Sequence, residues 1–167
     1  HGSAVGAVGG SRPVGYGMRT GAPDVMTVAG LSFKILQMPG VTILLFEEFH
    51  VYRQIHSDGR KLPVDPEPAW YGFSVGKWEG ETFVVETGGF REGSWLDNNG
   101  HPHSDALRTP ERFRRVDFGP MNLDVTLDDP KPYPQPWISA PLPFALTPYP
   151  QPFDPFLRNH PYPPAPV

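Results

Sequence analysis

Proline placement constrains this chain more than any other feature. Fourteen of its 23 prolines fall in the last 38 residues, from Pro130 onward. Within that stretch Pro132-Tyr133-Pro134-Gln135-Pro136 recurs sixteen residues later as Pro148-Tyr149-Pro150-Gln151-Pro152. Proline has no amide hydrogen and cannot extend a central strand, so the region reads as a polyproline-type tail. The tail either lies across the body through Trp137, Phe144, Phe153 and Phe156 or forms a partner-binding arm. Together with 18 glycines, the prolines approach a quarter of the 167 residues, at the edge of the low-complexity range. The 38% hydrophobic and 13% aromatic content is nevertheless too high for a disordered polymer. A folded β-rich body with irregular ends satisfies both observations.

The length suits one domain. The expected division is an irregular N-terminal segment over 1–30, a β-barrel-like domain over 31–137 and the Pro-rich tail over 138–167. His1-Gly2-Ser3 reads as the remnant of a purification tag. Its alternative is a mature N-terminal histidine that chelates copper through amine and imidazole. The net charge of −4 lacks the basic footprint of a nucleic-acid binder. No apolar run reaches the ~20 residues of a membrane helix. The absence of cysteine removes disulfides, thiolate catalysis and Cys-based metal sites.

No segment shows a sustained helical period. Phe33 to Met38 is an apolar run closed by Pro39-Gly40, a turn pair. Val41 to Phe49 and then Val51 to His56 read as strand. One straight strand from Thr42 to His56 would run about 50 Å at ~3.3 Å per residue, so a bend, bulge or tight turn is expected near Glu48–Val51. Tyr71–Trp78 and Glu81–Thr87 flank Glu79-Gly80 as a hairpin. Glu111–Asp117 and Asn122–Asp128 flank Gly119-Pro120 as another, and a short helix is expected over Ser104–Leu107. About seven strands in hairpin order predict a mainly β fold, an antiparallel meander closing into a small lipocalin-like barrel.

Three segments together resemble a large family of exported bacterial proteins of acidobacterial type. They are Phe73-Ser74-Val75-Gly76-Lys77-Trp78-Glu79-Gly80-Glu81-Thr82-Phe83-Val84-Val85-Glu86-Thr87, then Trp95-Leu96-Asp97 with Gly100-His101-Pro102-His103-Ser104, and Glu111-Arg112-Phe113. The resemblance runs roughly from Phe33 to Trp137. It implies export, to the periplasm or the medium, and a β-rich lipocalin-like body, and it implies no reaction. Two departures stand out: relatives usually carry a cysteine near each end of the domain, and their C-terminal part is a further strand region.

Strand parity gives one set of candidate residues. Phe46, Glu48, His50, Tyr52, Gln54 and His56 share a face of an uninterrupted strand, opposite Glu47, Phe49, Val51, Arg53 and Ile55. A bulge near Glu48 swaps the later positions. The polar set is either a solvated outer face or the lining of a barrel mouth, where barrels hold ligands.

Gly100-His101-Pro102-His103-Ser104-Asp105 is the segment richest in reactive groups. A His-x-His pair in extended chain puts both rings on one side. With His50 as third ligand, His101 and His103 would suit a divalent zinc, copper or iron ion. The spacing to Glu111 fits a cupin motif poorly. Without metal, either ring is a general acid or base. The plainer alternative is that His101 ends a turn and Ser104 caps the short helix. Asp97 either orients a histidine ring or makes an Asx turn into Asn98-Asn99-Gly100. Arg112 and Arg114 either bind a carboxylate substrate or form a salt-bridged rim. Trp70, Tyr71 and Trp78 offer flat surfaces to a ligand or belong to the core. Gly72-Phe73-Ser74-Val75-Gly76 has the letters of a nucleophile elbow without the following helix, so Ser74 is not read as a nucleophile.

These readings converge on an exported small-molecule enzyme with a site at the barrel mouth. His50, His101 and His103 would act as acid–base groups or metal ligands, assisted by Glu48 or Asp97, in hydrolytic, lyase or oxidative chemistry. The rival is a non-catalytic binding protein for an apolar or carbohydrate ligand. The third is an assembly protein that forms a homo-oligomer through its Pro-rich arm.

Overall fold

The computed structural model describes residues 33–46, 51–96, 100–117 and 119–145. Glu48, His50, Asp97, Phe153 and Phe156, the N-terminal segment and the second Pro-Tyr-Pro-Gln-Pro repeat lie outside them. Seven strands of five to seven residues run in chain order: β1 (Phe33–Met38), β2 (Val41–Phe46), β3 (Tyr52–His56), β4 (Phe73–Glu79), β5 (Thr82–Gly88), β6 (Thr109–Arg115) and β7 (Met121–Leu127). Two short strands follow, β8 (Trp137–Ile138) and β9 (Leu142–Phe144). All nine form one strongly curled, half-barrel sheet in the order β1-β2-β3-β4-β5-β6-β7-β8, with β9 also on β7. Among the described residues no helix is long and apolar enough to cross a membrane.

Turn chemistry explains the hairpins. Pro39-Gly40 joins β1 to β2 in two residues, and Gly40 has φ of 77°. Proline fixes a negative φ at the first turn position and glycine supplies the positive φ at the second, the pattern of a type II turn. The expected turn between β2 and β3 exists: Phe46 donates its amide to the Val51 carbonyl at 3.0 Å, and the strands pair antiparallel. This reversal puts Arg53 and Ile55 inside and leaves Tyr52 and Gln54 exposed. The polar positions of β3 therefore form an outer face, and the opposite set is the buried one.

One pairing departs from the expected meander. β3 meets β4 in parallel, through Ile55 with Ser74 and His56 with Val75 only. The connection over 57–72 carries the chain back to the same end of the sheet, so an antiparallel hairpin is not available there. His56 stacks on Phe73 with ring centroids 5.0 Å apart.

Two further expectations are corrected. Ser104–Leu107 forms a turn, with the Leu107 amide 3.3 Å from the Ser104 carbonyl, because Ser104 is held by a side chain described below. The described part of the Pro-rich region is turn and bend over 130–136 and then short strand rather than polyproline helix: β8 and β9 run back along β7, with Pro143 opposite Asn122. Proline is tolerated there because an edge strand leaves one row of amides unused.

The concave side of the sheet is core. Leu44, Ile55, Val85, Phe113, Leu123 and Val125 are each at most 5% exposed, and Phe90, Leu96 and Leu107 from the β5–β6 connection cap them. Burying each such side chain contributes roughly 1.5–3 kcal/mol. Gly76 in β4 leaves room for this packing, since a Cβ there would come within 2.5 Å of the Phe83 ring. The curl brings β1 to the last strand: the Phe33 ring lies 5.0 Å from that of Phe144, edge to face.

Candidate functional site

Two polar centres stand out from this apolar frame, and they differ in kind. The first lies inside the sheet, one residue from each of four successive strands. Arg53 of β3 donates from Nε to Ser74 Oγ of β4 at 3.1 Å and from Nη2 to Thr87 Oγ1 of β5 at 2.7 Å. It grips Glu111 of β6 with both ends of its fork, Nη1 to Oε1 at 2.8 Å and Nη2 to Oε2. Ser74 and Thr87 share a hydrogen bond of 2.9 Å. All four residues are at most 2% exposed. A bidentate arginine–carboxylate pair with flanking hydroxyls satisfies the buried charges internally. Both carboxylate oxygens and four of the five guanidinium hydrogens are taken. Such a centre holds strands together and has little left to offer a ligand.

The second centre lies in the β5–β6 connection. Trp95 and Pro102 form an antiparallel bridge, and the Leu96 amide donates to the His101 carbonyl at 2.9 Å. These contacts make residues 94–96 and 101–103 two short arms, turning at Gly100 with φ of 82°. Leu96, 4% exposed, anchors one arm in the core. Ser94 is thereby set opposite His103. Its Oγ lies 2.5 Å from His103 Nε2, with a longer contact of 3.3 Å to the Arg91 carbonyl. His103 Nδ1 lies 3.0 Å from the Ser104 carbonyl oxygen.

A carbonyl oxygen can only accept, so Nδ1 carries a hydrogen; in the neutral ring Nε2 then presents its lone pair to the Ser94 hydroxyl, whose other acceptor is the Arg91 carbonyl. Ser104 is in turn clamped by Asp129, which accepts from the Ser104 amide and hydroxyl, both at 2.6 Å. Asp129 is 1% exposed, and His103 is half-buried, its ring centroid 6.0 Å from that of Phe90 in an edge-to-face arrangement. The chain of contacts Asp129–Ser104–His103–Ser94 can move a proton between the serine hydroxyl and the imidazole while the ring stays in place.

His101 takes a different neighbourhood. It is exposed, and its ring lies 6.4 Å from that of Trp137. Both nitrogens of His103 are engaged, so chelation by the pair would require His103 to release Ser94. Among the described residues no three His, Cys, Asp or Glu side chains cluster to hold a metal. His50, the expected third ligand, lies outside those residues, as do Glu48 and Asp97.

The remaining candidates are accounted for by simple contacts. Arg112 reaches Glu79 at 3.3 Å on the sheet's outer side, and Glu79 is held below the usual carboxylate range mainly by Lys77. Asp105 is likewise lowered by Lys131. Exposed pairs of this kind stabilise little. Trp78 is exposed and tilts against Phe83, while the Arg91 guanidinium sits 5.5 Å above Trp70. Ser74 is a strand residue of the buried network, in keeping with its exclusion as a nucleophile.

Sequence reasoning missed Ser94, Asp129 and the Arg53–Glu111 pair. A signal for Ser94 existed: in a hairpin that pairs Trp95 with Pro102, the next positions outward are residues 94 and 103. No family model, curated protein or solved structure matches the chain.

Proposed function

We propose that this protein is a small-molecule enzyme of acid–base type, with His103 as its working group. The observation that carries the reading is the 2.5 Å contact between Ser94 Oγ and His103 Nε2, on a ring whose other nitrogen is pinned by a carbonyl. A structural histidine needs neither a fixed tautomer nor a hydroxyl aimed at its lone pair. A general base needs both, and such groups contribute about 10²–10⁴ in rate. His101 beside Trp137 supplies a binding edge for the substrate. Glu48, His50 and Asp97 join this reading from the sequence alone, as does export.

The metal-assisted form of the reading draws on His50, His101 and His103 as ligands. It is separable by elemental analysis of protein stripped of residues 1–3, because it requires near-stoichiometric zinc, copper or iron that is lost in the His101→Ala/His103→Ala protein.

The test is turnover of a panel of small esters, lactones, amides and hydroxy acids by wild type and His103→Ala. A fall of about 100-fold or more in the variant, with unchanged circular dichroism, is expected. Turnover insensitive to His103 would sink the reading.

A second reading has its own observation. Trp137 and Ile138 are 62% and 72% exposed, next to His101, and form an apolar surface that would suit a non-catalytic binder of an apolar or carbohydrate ligand. It predicts saturable binding without turnover, lost in Trp137→Ala and kept in His103→Ala.

A further inference from the structure

Resting on the acid–base reading, we infer that Ser94 is a nucleophile and that the substrate class is a small uncharged carboxylic ester, cleaved by acyl transfer through this serine. Two features of the connection support it. The hydroxyl is already hydrogen-bonded to the base that would deprotonate it, at 2.5 Å. The base is oriented by a third group, the carbonyl of Ser104, a residue whose amide and hydroxyl Asp129 holds. This is the arrangement an activated serine requires: nucleophile, base and orienter in hydrogen-bond sequence.

The surroundings select the substrate's polarity. The His103 and Phe90 rings meet edge to face, Leu96 is buried, and the neighbouring carboxylate of Asp129 is committed to Ser104. These neighbours favour an apolar acyl group.

The chemistry balances without a cofactor. The Ser94 hydroxyl proton passes to His103 Nε2 as Oγ bonds to the ester carbonyl carbon. The bond from that carbon to the alcohol oxygen breaks, and the leaving oxygen takes the proton from Nε2. Water then gives a proton to Nε2 and its oxygen to the acyl carbon. The Oγ–carbon bond breaks, Oγ regains the proton, and a carboxylic acid leaves.

An alkyl fluorophosphonate tests the inference, since its phosphorus is attacked by an activated serine with loss of fluoride. Wild-type protein is incubated with the probe and read by intact mass and peptide mapping. The expected result is one adduct on Ser94, absent in Ser94→Ala and slowed about 100-fold in His103→Gln. Near-ultraviolet circular dichroism checks that each variant is folded, and the wild-type measurement needs no variant. Absence of an adduct, an adduct on another residue, or labelling equally fast in folded His103→Gln would overturn the assignment. Loss of the adduct with retained His103-dependent turnover of non-ester substrates removes the nucleophile alone. Loss of both removes the acid–base reading as well.

Discussion

The two polar centres contain the same kinds of side chain, a hydroxyl, a carboxylate and a base, yet they are arranged in opposite ways. The Arg53 centre is closed: its charges face one another inside four strands and every residue is shut from water. The Ser94 centre is buried at Ser94 and Asp129, 4% and 1% exposed, and opens only at His103 and Ser104, which are half-buried; its Asp129 clamp acts through Ser104 rather than on the ring. Burial with mutual satisfaction fixes geometry. Partial burial with one titratable member left at the margin keeps a proton mobile. The difference lies in what each group has left to give after its neighbours are served, rather than in residue type.

The comparison can be broken most forcefully at Glu111. Glu111→Ala strands a buried guanidinium and is expected to cost about 3–5 kcal/mol, much of the stability of an ordinary domain. Urea denaturation reads this directly. The double replacement Arg53→Met/Glu111→Leu removes both charges and should recover most of the loss. A single variant as stable as wild type would show that the centre does not hold the sheet.

A smaller effect sharpens the contrast at the other centre. Asp129→Ala deprives the Ser104 amide of its acceptor and should cost about 1–3 kcal/mol. His103-dependent turnover should fall with it, because the carbonyl that sets the tautomer is released. Rescue of stability by added osmolyte without rescue of turnover would mark Asp129 as a positioning residue. Equal recovery of both would reduce it to a structural one.

The smallest effect belongs to the surface. Arg60, bonded to Asp58, lowers that carboxyl from 3.8 to about 2. A carboxyl depressed in the folded state adds stability above its ordinary value and loses it as pH falls through about 2. Asp58→Asn should therefore leave neutral-pH stability almost unchanged and remove only a small slope between roughly pH 4 and pH 2. Carboxyl titration by NMR checks the value.

What the sequence disclosed follows from how local each cause is. Pro39-Gly40 and Gly80 announced their hairpins because a turn is decided by the residues in it; the second turn is Gly80-Glu81, one residue on from the expected Glu79-Gly80, and Gly80 adopts φ of 60°. The parallel contact of β3 with β4 had no such announcement, since it depends on where a sixteen-residue connection deposits the chain. Glu111 and Arg53 were unreadable as partners for the same reason, being 58 residues apart. Charged residues are also ordinarily exposed, so nothing argued for burying these two. His103 could be singled out because imidazole is rare and titrates near neutrality. Ser94 could not, because a serine becomes chemically distinct only through what stands beside it. Pro143 misled in the other direction: its residue type forbids a central strand and permits an edge.

The two-rung contact between β3 and β4 also bears on how the molecule opens. Neighbouring strands from β1 to β7 otherwise share five to seven paired positions. The backbone ladder is thus almost interrupted at one line, and Arg53 crosses that line to Ser74, Thr87 and Glu111. The three-stranded flap of β1–β3 is then tethered more by a guanidinium than by amides. Amide hydrogens in the flap should exchange through a partial opening that leaves β4–β7 protected, so that this single side chain governs whether the sheet melts as one cooperative unit or as two.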